Sequence, residues 1–432
     1  MNPICVMSSN EYDSDSISVS SDENPDQSTN MDFTGKVLNT YNIISELGRG
    51  SYSIVWLSYN ISDSKFYALK VQNPEDFKDG ISEMRILKSL PRNENILQLK
   101  EHFIKRIGHN KFLCSAYDLC CGNLDTFIRK GEYSEGLDLQ VVKKIFRQLM
   151  EGIHILHKKC KLIHCDLKTD NILLKGMNNR DLFIIDLYRE YNFEKTYIEA
   201  KKEYWTELGK NIDNIKKMKS EQKLKIRKKV HLQILKSIQE QIDNNIYKTY
   251  RFDKKYMEEP NIVIADFGAA CTEDESYDED FGTRYYRAPE VILMGEITEK
   301  VDIWAAGCIL YELIVGDFLF DPDKDKYKTR DYYHLLEISK VSGRFSKKFL
   351  KSTKHWKKYF DKSGDIKGIE YREYYDWDEL LEKVKDDKEK NQIIVLLKEM
   401  LDINPSTRIN SEKVLANSWL YGDTQEVSPN NV

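Results

Sequence analysis

The sequence predicts an α+β protein in which a strand-rich segment precedes a longer, mainly helical one. Three observations carry this. From Tyr41 to Leu119 short apolar runs alternate with turns, as in Tyr41-Asn42-Ile43-Ile44, Phe66-Tyr67-Ala68-Leu69 and Lys111 to Leu119. Beyond residue 139 apolar residues recur at helical spacing, first at Ile145, Leu149, Ile153 and Leu156, later in the run Ile303 to Val315. Between them lies a polar octet, His164-Cys165-Asp166-Leu167-Lys168-Thr169-Asp170-Asn171. Leu162-Ile163 and Ile172-Leu173-Leu174 flank it, the pattern of a loop held between short buried strands.

The octet concentrates what a phosphoryl transfer asks of a protein. Asp166 is a carboxylate able to orient and deprotonate a hydroxyl, Lys168 an ammonium for phosphate charge, and Asn171 an amide able to hold a metal ion. Asp166 and Asn171 stand five positions apart, the separation of the protein-kinase catalytic loop. The chain therefore resembles a protein kinase. That resemblance implies a bilobal fold, with a small antiparallel-sheet lobe carrying one helix (39–119) and a large, mainly helical lobe (120–422).

The remaining elements can be taken in chain order. Residues 8–32 are rich in Ser, Asp and Glu, and the first basic residue is Lys36, so 1–38 is expected to be a disordered acidic tail. Its serines at 14, 16, 18, 20 and 21 sit among acids, where an acid-directed kinase could modify them. In Leu47-Gly48-Arg49-Gly50-Ser51-Tyr52-Ser53-Ile54-Val55 the glycines let backbone N–H groups approach nucleotide phosphates. Lys70, ending the next strand, is the candidate grip on the α- and β-phosphates, with Glu83 of the helical stretch 81–87 as its partner. By the same resemblance Tyr117 is the gatekeeper, and Asp118 to Cys120 form the adenine-binding hinge.

The second metal ligand expected after strand 172–174 is delayed by more than 80 residues and comes as Asp266-Phe267-Gly268. In between, a Lys- and Glu-rich insert (176–260) shows helical spacing at Trp205, Leu208, Ile212 and Ile215, and again at Leu235, Ile238 and Ile242. It is expected to form charged helices beside the lobes, with the basic run Lys223 to Lys229 as a solvated face. Gly282 to Glu290 carries Thr283 and Arg287, which the resemblance places against the substrate peptide. It also carries the Ala288-Pro289-Glu290 acid, whose candidate partner is Arg408. Asp302 opens the apolar helix on which the large lobe would be built, and 423–432 is a short terminal tail.

A narrower resemblance is to the SR-protein kinases, relatives of the cyclin-dependent, MAP and dual-specificity tyrosine-regulated kinases. Ser53 in place of the third glycine, the position of the insert, Ala270-Cys271 after Gly268, and Gly316-Asp317-Phe318 with Thr329-Arg330-Asp331 carry it. It implies Arg/Ser-rich protein substrates drawn to an acidic docking groove that includes Asp317. Where the family has two further acids the chain has Tyr333 and Lys340, leaving Asp331, Glu337 and the acidic stretch 273–280 as candidates to supply charge. Cys165 replaces the arginine that pairs with a phosphorylated activation loop in many kinases, so activity is expected without that phosphorylation. His-Cys-Asp also resembles the dual-specificity tyrosine-regulated kinases, although their Tyr-x-Tyr is not evident in 277–281. The competing class is a pseudokinase scaffold, whose mark is loss of a catalytic residue. Lys70, Asp166, Asn171 and Asp266 are all present.

ATP and Mg2+ are thus the implied cofactors and a protein the implied substrate. The net charge of −5 argues against direct nucleic-acid binding. Eight cysteines without CxxC spacing read as reduced thiols of an intracellular protein, cytoplasmic or nuclear, or the host-cell or virion equivalent for a viral source. The apolar run Ile303 to Val315 is interrupted by Glu312 and is shorter than the roughly 20 residues of a membrane span. A monomer acting on soluble substrates is expected.

Overall fold

The computed structural model describes residues 32–130, 133–244, 256, 258–272, 282–369 and 373–421. The chain divides into two units, residues 1–33 and 34–432, and all the described strands and helices belong to the second. The serines at 14–21, the acidic stretch 273–280, the segment 277–281 and the tail 423–432 lie outside the described residues.

The first sheet is antiparallel throughout, in the order β1-β2-β3-β4-β6-β5. Its strands are β1 (Val37–Leu38), β2 (Tyr41–Arg49), β3 (Ser53–Asn60), β4 (Lys65–Gln72), β5 (Glu101–Ile107) and β6 (Asn110–Tyr117). The tail was expected to run to residue 38, and this is corrected. Gly35 N donates to Ile43 O and Ile43 N to Lys36 O, each at 3.0 Å, so the hairpin into β2 begins before that point. Helix α1 (Phe77–Ser89) connects β4 to β5 and turns Glu83, Met84 and Leu87 inward.

Asp118 and Leu119 lead into β7 (Cys120–Asn123) and helix α2 (Leu124–Lys130). Helix α3 (Leu139–Ile155) comes next, capped by Asp138, whose carboxylate accepts from Gln140 N. A single π turn, Leu156–Cys160, extends it, and Lys161 closes that turn at φ 54°. The octet then runs into β8 (Ile172–Lys175), which pairs with β7 on one side and β9 (Ile262–Ile264) on the other.

The insert contains α4 (Asn179–Glu190), α5 (Phe193–Glu207) and α6 (Ser220–Asn244). Its expected character is corrected in two respects. First, the helices share an apolar core with the first sheet: Ile226, Val230, Ile234 and Ile238 of α6 pack with Ile184, Ile185 and Tyr188 of α4 and with Ile44, Leu57 and Tyr59 of β2 and β3. Second, the basic run is not wholly solvated. Arg227 is 5% exposed, donating through Nε to Asn42 Oδ1 (2.7 Å) and through a terminal nitrogen to Asn39 O (2.8 Å). His231 stands one turn later with Nε2 2.8 Å from Ile43 O; burial pushes its imidazole down to about 4, so it sits neutral. The spacing at Trp205 does not continue either. Helix α5 stops at Glu207, Gly209 takes φ +64°, and Leu208 and Ile212 stand 45% and 46% exposed. Because the insert leaves from β8 and returns to β9 while packing on β2 and β3, it ties the two sheets together.

After α7 (Pro289–Ile292) comes α8 (Lys300–Val315), in which every residue from Val301 to Ile314 is buried. That explains why the run reads apolar on all sides rather than on one stripe. Helix α3 and the later helix Asp387–Met400 pack against it, and Gly316 ends it in the left-handed conformation at φ 87°. No helix among the described residues is long and apolar enough to cross a membrane.

Candidate active site

The β2–β3 hairpin holds Leu47 to Val55, with Gly50 N donating to Ser53 O at 2.9 Å. A Cβ at Gly48 would meet nothing within 4 Å, so the space beside this glycine is open. Arg49 pairs with Glu46 at the surface, and Tyr52 at the tip is exposed. Ser53, in the third-glycine position, lies within β3 and is buried.

Lys70 lies on β4 opposite Val55 of β3 and Ser115 of β6. Its ammonium donates to both carboxylate oxygens of Glu83, at 2.9 and 2.7 Å. Tyr117 ends β6, buried; burial raises its phenol and the charges of Glu83 and Asp266 raise it further. Both acids therefore act on one side chain. Asp118 turns outward to pair with Lys100 at 2.6 Å, and Cys120 already belongs to β7, paired with Lys175.

The octet is anchored from below by Asp302 of α8. One carboxylate oxygen accepts from His164 N at 2.8 Å and lies 2.8 Å from His157 Nε2, and the other accepts from Cys165 N at 3.0 Å. Burial alone would raise the Asp302 carboxyl, but the His157 contact and these amides hold it below the usual carboxylate range. Sequence reasoning names Asp302 but misses His157, whose only mark is its place in a helix. Cys165 sits at φ 72° and Asp266 at φ 63°, left-handed conformations that non-glycine residues adopt at a cost. Cys165 Sγ lies 2.9 Å from Cys271 Sγ, beside an antiparallel bridge between Ile163 and Cys271.

Above this anchor the octet's side chains converge. Asp166 Oδ1 accepts from Thr283 N (2.8 Å) and Thr283 Oγ1 (2.6 Å), while Oδ2 accepts from Lys168 Nζ at 2.8 Å. Lys168 also donates to Thr283 Oγ1 at 2.9 Å, so Thr283 braces the pair that a substrate hydroxyl would approach. Asn171 donates through Nδ2 to Asp166 O at 2.8 Å, and its own carbonyl oxygen accepts from Ala265 N at 2.8 Å. That backbone bond holds Asn171 against Ala265, and Asp266, an exposed residue, comes next in the chain. His164 Nε2, 3.0 Å from Ala265 O, completes the seam. Arg287 lies beside this cluster, lining a small pocket with Cys165, Asp166 and Thr283, and its Nε donates to Gly282 O at 2.7 Å. Glu290 and Arg408 form a buried double hydrogen bond at 2.6 and 2.9 Å, behind α7.

The acids expected to fill out a docking groove need correction. Asp331 is taken up by Arg284 (2.5 Å) and Tyr359 Oη (3.0 Å), and burial pushes the Glu337 carboxyl up to about 7. Neither is a free charge. Tyr333 donates to Asp325 at 2.6 Å, and the Lys340 ammonium lies over the Tyr375 ring. A cavity of about 270 Å³ opens nearby, lined by Tyr311, Tyr375, Asp376, Glu379, Glu382 and Lys383 among others. Lys383 spends its ammonium on the carbonyls of Glu135 and Val315, leaving three carboxylates on the wall. Burial and the neighbouring Asp317 push the Tyr311 phenol up to about 12, placing Asp317 within electrostatic reach of the same cavity. Sequence reasoning missed these three acids because Glu373, Asp378, Asp386 and Asp387 in the same stretch are acids with nothing in the sequence to set them apart.

Comparison with known proteins gives a consistent result. The family model described as protein kinase domain matches residues 41–205 and 243–420, most of the chain, and skips part of the insert. A serine/threonine-protein kinase of Acanthamoeba polyphaga mimivirus is 28% identical over 88% of this chain and 87% of its own length. The serine/threonine-protein kinase SRPK of Physarum polycephalum is 28% identical over 88% and 85%. SRSF protein kinase 3 of Homo sapiens is 24% identical over 89% and 87%.

Proposed function

Because the chain belongs to the protein kinase family and is a protein serine/threonine kinase, we propose that its substrates are basic proteins in which serine stands beside arginine. The single observation carrying this is the wall of Asp376, Glu379 and Glu382 with Asp317 nearby, a surface complementary to guanidinium groups. The reading has the enzyme acting as a monomer, in cytoplasm or nucleus, on protein rather than nucleic acid.

The geometry supports a clear division of labour. ATP is the phosphoryl donor of a kinase. Backbone N–H groups of 47–55 and the Lys70 ammonium, held by Glu83, fix its phosphates. The substrate hydroxyl gives its proton to Asp166, whose carboxylate Thr283 and Lys168 hold in one orientation. Lys168 then faces the transferring γ-phosphate. Magnesium fits the donor set: Asn171 engages Asp166 through its nitrogen, leaving an amide oxygen, and Asp266 offers a carboxylate. Among the described residues no three His, Cys, Asp or Glu form a cage, which suits an ion shared with phosphates rather than one held by protein alone. Bound there, magnesium would neutralise phosphate charge.

Phosphatase-treated enzyme, produced without any upstream kinase, is expected to phosphorylate an Arg-Ser repeat peptide with kcat/KM at least about tenfold above a neutral serine peptide. Substituting Asp376→Asn, Glu379→Gln and Glu382→Gln together is expected to erase most of that preference while sparing the neutral peptide. Equal rates on both peptides would remove the substrate assignment. Inactivity that only an upstream kinase relieves would contradict the inference from Cys165.

A further inference from the structure

Helix α6 presents two faces of opposite character. Ile226, Val230, Ile234 and Ile238 pack onto β2, β3 and α4, and Arg227 and His231 are bonded on that side too. At helical spacing on the other side stand Lys225, Lys228, Lys229, Leu232 and Lys236, all exposed, in a row roughly 16 Å long. The row belongs to a wider imbalance. From Lys210 to Lys236 the chain has ten lysines and arginines against two acids, Asp213 and Glu221, whereas the whole molecule carries a net charge of −5.

Like charges are crowded here rather than neutralised. Among the described residues none of Lys225, Lys228, Lys229 and Lys236 forms an ion pair. Burial lowers the Lys105 ammonium of β5, and the charge of Lys228 lowers it further; Lys201 of α5 is lowered in the same way, by burial and then by Lys223. Such self-repulsion works against the folded state. An anionic surface brought onto the row would relieve it.

The aliphatic side chains indicate which surface. Leu232 sits within the row and is 53% exposed, and Leu208 and Ile212, in the turn before α6, are exposed among Lys210, Lys216 and Lys217. The one arginine of the stretch, Arg227, is turned inward, and among the described residues no aromatic side chain of the insert is exposed. Nucleic acids are gripped through arginine forks and aromatic stacking. Lysines interspersed with aliphatics suit lipid headgroups, where the ammonium meets phosphate and carboxylate and the leucine enters the acyl boundary. Because the apolar face of α6 is already covered by the sheet, the contact stays at the bilayer surface.

We propose that the outward face of α6, with the turn before it, is a docking surface for anionic phospholipid that seats the kinase peripherally on a membrane. The surface stands apart from the substrate reading, since no residue of the row enters the catalytic cluster or the acidic wall. Its packing on β2 and β3 keeps the row rigid before any lipid arrives, so little ordering is lost on docking. Attraction of this kind is screened by salt.

The test sediments full-length enzyme with vesicles of phosphatidylcholine alone and of phosphatidylcholine with about one-third phosphatidylserine. Binding is expected to the second only, and is expected to fall at least about tenfold between low and high salt. Lys225→Glu, Lys228→Glu, Lys229→Glu and Lys236→Glu together are expected to lower partitioning at least about 100-fold, since each lysine near such a surface contributes about fivefold, with Arg-Ser peptide phosphorylation in solution within about twofold of wild type. If that variant fails to fold, the four glutamine substitutions take its place. Leu232→Ser is expected to weaken binding about fivefold while leaving the salt dependence in place. As a control, Lys347, Lys348, Lys351 and Lys354, exposed lysines of another basic stretch, are changed together to glutamate, with an expected effect below about threefold. Vesicle binding indifferent to phosphatidylserine, equal losses from the two lysine sets, or a duplex RNA held through the same four lysines more tightly than the vesicles overturns the proposal.

Discussion

Asp166→Asn is expected to lower the turnover number by about 10²–10⁴-fold, the contribution typical of a positioned general base. The amide keeps the shape of the carboxylate and one acceptor oxygen, so Thr283 and Lys168 lose little packing. What it loses is the capacity to take the hydroxyl proton and the charge that faces Lys168. Catalysis of this kind is positioning plus electrostatics, with little covalent work for the protein. Mg-ATP affinity should change little, because the Asp166 side chain is assigned neither to the phosphates, which the hairpin and Lys70 hold, nor to the metal, which falls to Asn171 and Asp266. Steady-state rates alongside nucleotide titration separate the two quantities. A variant that turned over at near-normal rate would strip Asp166 of its role.

The second large effect is on stability. Arg408→Ala is expected to destabilise the protein by about 3–5 kcal/mol, because it leaves the Glu290 carboxylate buried without its partner. Both side chains are essentially inaccessible, and the guanidinium also donates to the carbonyls of Asp402 and Lys300, each at 2.8 Å. It lies over the Trp304 ring as well, so truncation opens a void beside α8. Denaturant unfolding of wild type and variant checks this. Replacing both Glu290 and Arg408 with apolar residues of similar volume should cost less than Arg408→Ala alone, since no charge is then stranded. A single variant as stable as wild type would show that the pair carries no structural weight.

Much of this architecture is legible before any coordinates. The octet, Asp266 and Arg408 announce themselves because each needs a fixed residue type at a fixed place in an ordered series. The apolar spacing of α3 and of the strands comes directly from burial on one side. What escapes the sequence is whatever depends on a distant surface. The insert reads as charged because its lysines outnumber its core residues, yet Ile226, Val230, Ile234 and Ile238 have a partner in β2 and β3, far earlier in the chain. Arg227 looks like one more solvated cation until Asn39 and Asn42 are brought to it. Asp376, Glu379 and Glu382 are indistinguishable from neighbouring surface acids until Tyr311 and Tyr375 close a cavity around them. Glu312 is visible in the sequence only as an interruption, and its meaning comes from Thr169, Tyr286 and Arg129 meeting at one carboxylate.

The claim on which the rest depends is that Lys70, Asp166, Asn171 and Asp266 surround one nucleotide. A structure with magnesium and a non-hydrolysable ATP analogue tests it most directly. The account predicts α- and β-phosphate oxygens within about 3 Å of Lys70, metal bound through Asn171 and Asp266, and the γ-phosphate facing Lys168 and Asp166. Nucleotide bound elsewhere, or bound here with its γ-phosphate turned away from Asp166, would contradict it.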